Sequence, residues 1–128
     1  MTSRDRKDSQ GRFAYHGLER VIHEKARLGI MTCLATHAKK GLTFSDLKEL
    51  CALTDGNLSR HLAVLQEAGL VEIQKGVHER RPQTVCQLTR EGRQRFLEYI
   101  AVLEEVVADF ASSPAAARAR IVEGLSPA

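Results

Sequence analysis

The chain of 128 residues has no tryptophan, 2 tyrosines, 3 prolines and 3 cysteines, and each shortage excludes something. Cys33, Cys51 and Cys86 are odd in number, widely spaced and without a Cys-x-x-Cys pair, which argues against a disulfide framework and against a local zinc clip. No apolar run approaches the length needed to span a bilayer, so no membrane association is expected. The basic opening residues are followed by no apolar segment of the secretory kind, and a cytoplasmic location is expected. A glycine-rich phosphate loop, a paired-acid constellation and a nucleophile motif are all missing, so the chain reads as no enzyme, with no catalytic residue, metal or cofactor. Charge of one sign is also lacking: 19 Lys and Arg stand against 16 Asp and Glu, a net charge of +3 that is weak evidence for any polyanionic partner.

What is present is the composition of a globular domain, 43% hydrophobic and 27% charged, at a length suited to one core plus tails. Charge is segregated along it. Between Val71 and Arg95 the cations Lys75, Arg80, Arg81, Arg90, Arg93 and Arg95 outnumber Glu72, Glu79 and Glu91, whereas Leu97 to Phe110 carries Glu98, Glu104, Glu105 and Asp109 and no cation. Such segregation suits a molecule with one basic docking side.

The most sharply bounded stretch is Thr54 to Val71. Thr54 can accept a backbone hydrogen bond as N-cap, Asp55 places negative charge in the first turn, and Gly69 closes the far end. Leu58, Leu62 and Leu65 recur at helical spacing on one face, leaving Gly56, Ser59, Arg60 and Ala63 on the other. An outward face that is small and polar apart from one guanidinium suits a helix lying against base edges in a major groove. His61 falls beside Leu58 and Leu65, which gives it a half-buried packing or phosphate role at the margin of that face.

Upstream, residues 1–12 contain no aliphatic side chain and read as a loose arm. A first helix is predicted from about Gly17 or Leu18 to Thr36, burying Leu18, Val21, Ile22, Ala26, Ile30, Met31 and Leu34, with His16, His23 and His37 solvated or capping. Lys39-Lys40-Gly41 makes a turn. A second helix is predicted from Thr43 to Cys51, with Thr43 as N-cap, Asp46 three residues on, and Phe44, Leu47, Leu50 and Cys51 turned inward. Two short helices joined by Ala52 and Leu53 are a helix-turn-helix arrangement, in which the second helix enters the groove and the first supports it.

After Gly69 the period changes. Val71 and Ile73 alternate with Glu72 and Gln74, and Thr84, Cys86 and Leu88 alternate with Gln83, Val85 and Gln87, so the two segments pair as a hairpin around a loop from Gly76 to Pro82. Lys75, His78, Arg80 and Arg81 crowd its tip, forming a basic wing that would meet phosphates or the minor groove. Thr89 then caps a long helix in which Phe96, Ile100, Leu103, Val107 and Phe110 follow at heptad spacing, widened by Leu97 and Val106. More apolar surface than a small domain covers by itself predicts a homodimer built on this helix. Ser112-Ser113-Pro114 ends it, and the Ala-rich piece from Pro114 to Glu123 has the makings of a short helix.

The predicted architecture is therefore α+β and mainly α, a winged helix-turn-helix with a two-stranded wing and a long C-terminal dimerisation helix. A flexible arm (1–16), a DNA-binding domain (17–110) and a tail (111–128) are its expected divisions. The order of elements and the residues Thr54-Asp55-Gly56-Asn57-Leu58-Ser59-Arg60-His61-Leu62, Glu67-Ala68-Gly69-Leu70-Val71, Arg80-Arg81-Pro82 and Leu88-Thr89-Arg90-Glu91-Gly92 resemble the winged-helix regulators of the MarR-type and ArsR-type superfamily, above all its small single-domain group. The resemblance covers about Leu18 to Val107 and implies a dimeric regulator of transcription acting on double-stranded DNA, with room for a small-molecule effector that no residue identifies. Two departures stand out. ArsR-type metal sensors carry a Cys-x-Cys pair where this chain has Leu50-Cys51-Ala52, which offers one cysteine and no partner nearby in sequence. Cys86 stands where relatives often have an aromatic, and its place in the alternation turns it inward as a small hydrophobe. The rival class is a winged helix that binds a protein partner and no specific DNA.

Overall fold

The computed structural model describes residues 11–37 and 39–122, with the side chains of 120–122 left aside. Residues 1–10 of the expected arm and 123–128 of the expected tail lie outside it. Five helices and three strands follow in order: α1 (Lys25–Thr36), β1 (Leu42–Thr43), α2 (Phe44–Cys51), α3 (Asp55–Glu67), β2 (Val71–His78), β3 (Arg81–Leu88), α4 (Arg90–Ala111) and α5 (Pro114–Val122). No helix among the described residues is long and apolar enough to cross a membrane. The described residues pack as two compact units, one between Glu19 and Glu98 and one that joins those up to Leu18 with those from Tyr99 onward.

In the larger unit, Ile22, Ile30, Met31, Leu34, Leu47, Leu58, Leu62, Leu65, Leu70, Val71, Cys86 and Phe96 are buried. The first helix is shorter than its apolar pattern predicts. Leu18 to Glu24 runs as turns, because the Glu24 carboxylate turns back to accept from the Ala26 and Arg27 backbone amides and so starts α1 at Lys25. Glu24 itself is extended, with φ −125° and ψ 134°, as an N-cap must be. The apolar residues upstream of it still reach the core, as Ile22 shows.

Helix α2 begins as predicted, with Thr43 Oγ1 accepting from the Asp46 amide at 3.1 Å. Leu47 is buried, but Leu50 is 58% exposed, contrary to its predicted inward place. The helix ends on Ala52, which takes a left-handed conformation (φ 53°, ψ 49°) unusual for a residue with a Cβ. Leu53 N–H then donates to Lys48 C=O at 3.0 Å. Helix α3 starts on Thr54, whose Oγ1 accepts from the Asn57 amide at 3.2 Å. At its far end Leu70 N–H donates to Leu65 C=O (3.0 Å) and Gly69 N–H to Gln66 C=O (3.0 Å), with Gly69 at φ +80°. That pair of bonds is a Schellman closure, and it satisfies the last carbonyls of the helix.

The sheet has three strands, in the order β1-β3-β2. The short β1 has no alternation of its own to mark it in the sequence; it pairs antiparallel with β3 through Leu42↔Cys86 and Thr43↔Val85. The hairpin ladder runs from Val71↔Leu88 to His78↔Arg81. Its loop is therefore the two residues Glu79 and Arg80, not Gly76 to Pro82. Both have positive φ (51° and 68°), as the tight primed turns of hairpins require, although neither is the glycine or asparagine that such turns prefer. Gly41, at φ +72°, has its Cα so close to the Cys86 carbonyl that an added Cβ would lie 2.6 Å from that oxygen.

Helix α4 opens on Thr89, whose Oγ1 accepts from the Gly92 amide at 2.9 Å and donates to Gly69 C=O at 2.6 Å. Gly92 is forced by close approach: a Cβ there would lie 1.9 Å from the Leu70 carbonyl oxygen. Arg95 forms a two-pronged pair with Glu19, so this cation of the predicted basic stretch is engaged within its own unit.

In the smaller unit, the predicted loose arm is tied down where it is described. Arg12 grips Asp109 with both guanidinium nitrogens, one at 2.8 Å, and the Tyr15 hydroxyl donates to the same carboxylate. That bond holds the Tyr15 phenol above its ordinary pKa, since ionising it would set a second negative charge against Asp109. Tyr99 is fully buried and Ala116, on α5, is nearly so.

Candidate nucleic-acid interface

The surface of α3 is divided as its spacing predicts. Leu58, Leu62 and Leu65 are buried, while Gly56, Asn57, Ser59, Arg60 and Ala63 are exposed. A Cβ on Gly56 would meet nothing within 4 Å, so no internal packing demands glycine there. Its smallness acts outward, allowing close approach of another surface. Asn57 Oδ1 accepts from Arg60 Nη2 at 3.4 Å, a long contact that leaves the guanidinium fork open. Lys48 joins α2 to the first turn of α3 through Asp55 at 2.9 Å, but both side chains are exposed and the pair contributes little to stability.

His61 departs from the groove-facing set. It is 6% exposed and turned into the domain, where Nδ1 lies 3.2 Å from Arg27 Nη1 and Nε2 lies 3.3 Å from Glu24 Oε2. Arginine can only donate, so Nδ1 accepts, and the remaining ring proton on Nε2 is directed to the carboxylate. Glu24 thus does two jobs, capping α1 and holding α3 by its histidine. Burial alone would raise the Glu24 pKa. The amides of Ala26 and Arg27, with the favourable electrostatics of the neighbouring His61 and Arg27 side chains, outweigh that and hold it below its ordinary value.

The wing residues also divide. Along β2, Lys75 shares the side of Val71 and Ile73, and it lines one groove with Ser59, Ala63 and Gln66 of α3. His78 and its cross-strand partner Arg81 lie on a second cleft with Thr43 and Ser45, where α2 begins. Arg80 sits in the turn itself. Lys75 therefore belongs with the α3 face and Arg81 with the start of α2. The alternation of the strand held this information, since positions 75 and 78 differ by an odd number. Gln66 and Ser45, which no sequence motif marks, complete the two grooves.

The residues predicted for a helix-helix seam are not alike. Phe96 is buried within its own unit, Ile100 and Leu103 are half-buried, and Val107 and Phe110 are 62% and 60% exposed. Leu97 is also largely exposed. Phe96 is thus withdrawn from any surface seam, and Tyr99, one position off the heptad, takes a buried place that heptad spacing gave no reason to expect.

Comparison with known proteins places this geometry. A family described as "Winged helix DNA-binding domain" matches residues 26–107. The "Uncharacterized protein MJ0432" of Methanocaldococcus jannaschii is 47% identical over 81 residues, covering 63% of this chain and 86% of that protein. Among solved structures, the transcriptional regulator homologue protein from Pyrococcus horikoshii OT3 superposes with a TM-score of 0.65 at 27% identity, over 82% of this chain and 97% of that one. The S. aureus MepR-DNA complex shares the fold with a TM-score of 0.66 at 18% identity, over 95% of this chain and 91% of that one. With an exposed α3 backed by α2 and flanked by a basic hairpin, and a family match that spans all three, the chain belongs to the winged helix DNA-binding domain family.

Proposed function

We propose that this protein is a sequence-specific, DNA-binding regulator of transcription that acts as a homodimer. The observation that carries the reading is the groove in which Ser59 and Ala63 of α3 meet Lys75 of the wing. It joins a face with small side chains to a cation that can meet a phosphate. Helix α3 enters the major groove with Gly56, Asn57, Ser59, Arg60 and Ala63 toward the bases, and Arg60 grips guanine through two hydrogen bonds. Lys75, Arg80 and Arg81, with His78 beside them, meet phosphates or the minor groove and supply affinity more than choice of sequence. His61 takes no part in the contact and instead fixes the orientation of α3.

The dimer rests on α4, whose exposed Leu97, Val107 and Phe110 are large apolar side chains that a partner helix would cover. Two-fold symmetry then presents two α3 helices to successive turns of a near-palindromic site. A small-molecule effector remains part of the reading without assigned residues. Support for DNA comes from the family and from the MepR relative solved with DNA. Selection of bound duplexes from a random pool at two salt concentrations tests the proposal: a palindromic consensus is expected, and unselective retention with no consensus would refute sequence specificity. Light scattering on the free protein tests the dimer, which a monomer mass would refute.

A further inference from the structure

Val77, near the tip of the wing, is 74% exposed, more than any other large apolar side chain among the described residues. Its cross-strand partner Pro82 is exposed as well. Positions two apart on a strand share a face, so this pair stands on the same side of the hairpin as Lys75↔Thr84 and, further in, Ile73 with the buried Cys86. Lys75 and Thr84 line the groove that Ser59 and Ala63 of α3 share. The apolar pair lies one step beyond that groove, about 7 Å further out along the strand. The hairpin ends at Glu79 and Arg80, both left-handed, so no longer loop folds back over the pair. Its neighbours are cationic: Lys75 stands one pair inward, and Arg80 and Arg81 directly precede Pro82. Glu79, the acid of the tip, has its carboxylate 3.6 Å from His78 Nε2.

An apolar pair ringed by cations fits a partner whose rims are anionic and whose surface between them is not, which is the chemistry of a duplex groove between its phosphate ridges. We propose that Val77 and Pro82 select the base pairs beneath the wing through the minor groove, accepting A·T and rejecting G·C. This rests on the DNA-binding function proposed above. With α3 in the major groove, Lys75 meets the phosphate ridge that bounds it, and the pair beyond Lys75 lies over the adjoining minor groove.

The floor of that groove differs between the base pairs by one group. An A·T pair shows only acceptors, whereas a G·C pair adds the guanine N2 amino group, a donor that projects from the floor. The valine side chain and the proline ring have no acceptor to offer it. Seating them over guanine would strip water from the amino group without replacing the lost hydrogen bond, and would hold the hairpin away from the floor. Phosphate contacts by the flanking cations are alike in every sequence, which leaves the choice to the apolar pair.

The test uses a duplex selected by the full-length protein, remade beneath the wing with A·T, with G·C, and with inosine·C, which keeps the major-groove edge of G·C but lacks the amino group. Wild type should bind the G·C duplex roughly fivefold more weakly than the A·T duplex and recover on inosine·C. Val77→Thr keeps the shape and β-branching of valine and adds a hydroxyl that can accept from the amino group. It should bind the A·T and G·C duplexes within about twofold of each other, with the salt slope and urea midpoint of wild type. A selected consensus with G·C beneath the wing, or inosine·C bound as weakly as G·C, would overturn reading through the minor groove. A preference that persists in Val77→Thr would take the choice away from the apolar pair. Either result leaves DNA binding standing, whereas retention of no duplex would fault the DNA reading itself. Binding to phosphatidylserine vesicles in place of duplex, weakened by Val77→Thr, would reassign the pair to a lipid surface.

Discussion

Glu24→Ala is the perturbation that most directly tests how α3 is held. The carboxylate accepts from the amides of Ala26 and Arg27 and sits 3.3 Å from the buried His61 Nε2. Loss of an N-cap costs about 1 kcal/mol. Leaving the His61 nitrogen without an acceptor costs a further ~1–3 kcal/mol, toward the low end here because Glu24 is 33% exposed and water can enter. The neighbouring Arg27 pair, at 3.9 Å, adds little to this. The expected loss is about 2–3 kcal/mol by urea unfolding, against ~1 kcal/mol or less for Glu24→Gln, which keeps an acceptor in place. A double-mutant cycle with His61→Ala should give a coupling of about 1 kcal/mol. The folded pKa of Glu24 lies below its ordinary 4.5, so its contribution is fully present above that value and is lost as pH falls through the folded pKa. The gap between wild type and Glu24→Ala should therefore narrow on acidification below 4.5. Strict additivity in the cycle, or a gap that widens in acid, would refute the idea that Glu24 anchors α3 through His61.

The remaining predictions concern the backbone and the DNA contact. Gly92→Ala should lose about 3 kcal/mol or more despite the better helix propensity of alanine, since its Cβ would lie 1.9 Å from Leu70 C=O; a neutral result in chemical denaturation would contradict that close approach. Ala52→Gly should stabilise by about 1 kcal/mol by relieving a left-handed alanine (φ 53°), seen as a higher urea midpoint at constant slope. Arg60→Ala should cost about 1–3 kcal/mol on a selected duplex and relax preference at one base position; equal weakening on random duplex would make Arg60 a backbone contact. Arg81→Ala should make the salt dependence of binding shallower with sequence preference kept, and an unchanged salt slope would remove the wing from the interface.

Sequence alone determined whatever depends on neighbours along the chain. The Thr43, Thr54 and Thr89 caps, the Gly69 closure, the buried stripe of Leu58, Leu62 and Leu65, and the inward Cys86 are all set by period, capping chemistry and backbone freedom, which act over a few residues. Tertiary structure decided what depends on distant partners. Glu24 cuts α1 short with a side-chain cap that an apolar periodicity cannot reveal, and it engages a histidine from another helix. Arg12 and Arg95 look like free cations in sequence, yet each finds a carboxylate far along the chain, at Asp109 and Glu19. The strand β1 consists of two residues, Leu42 and the α2 cap Thr43, that become a strand only by pairing with the edge of β3. Cys33 and Cys51 line one cleft only because α1 and α2 pack against each other, a proximity that no local spacing encodes.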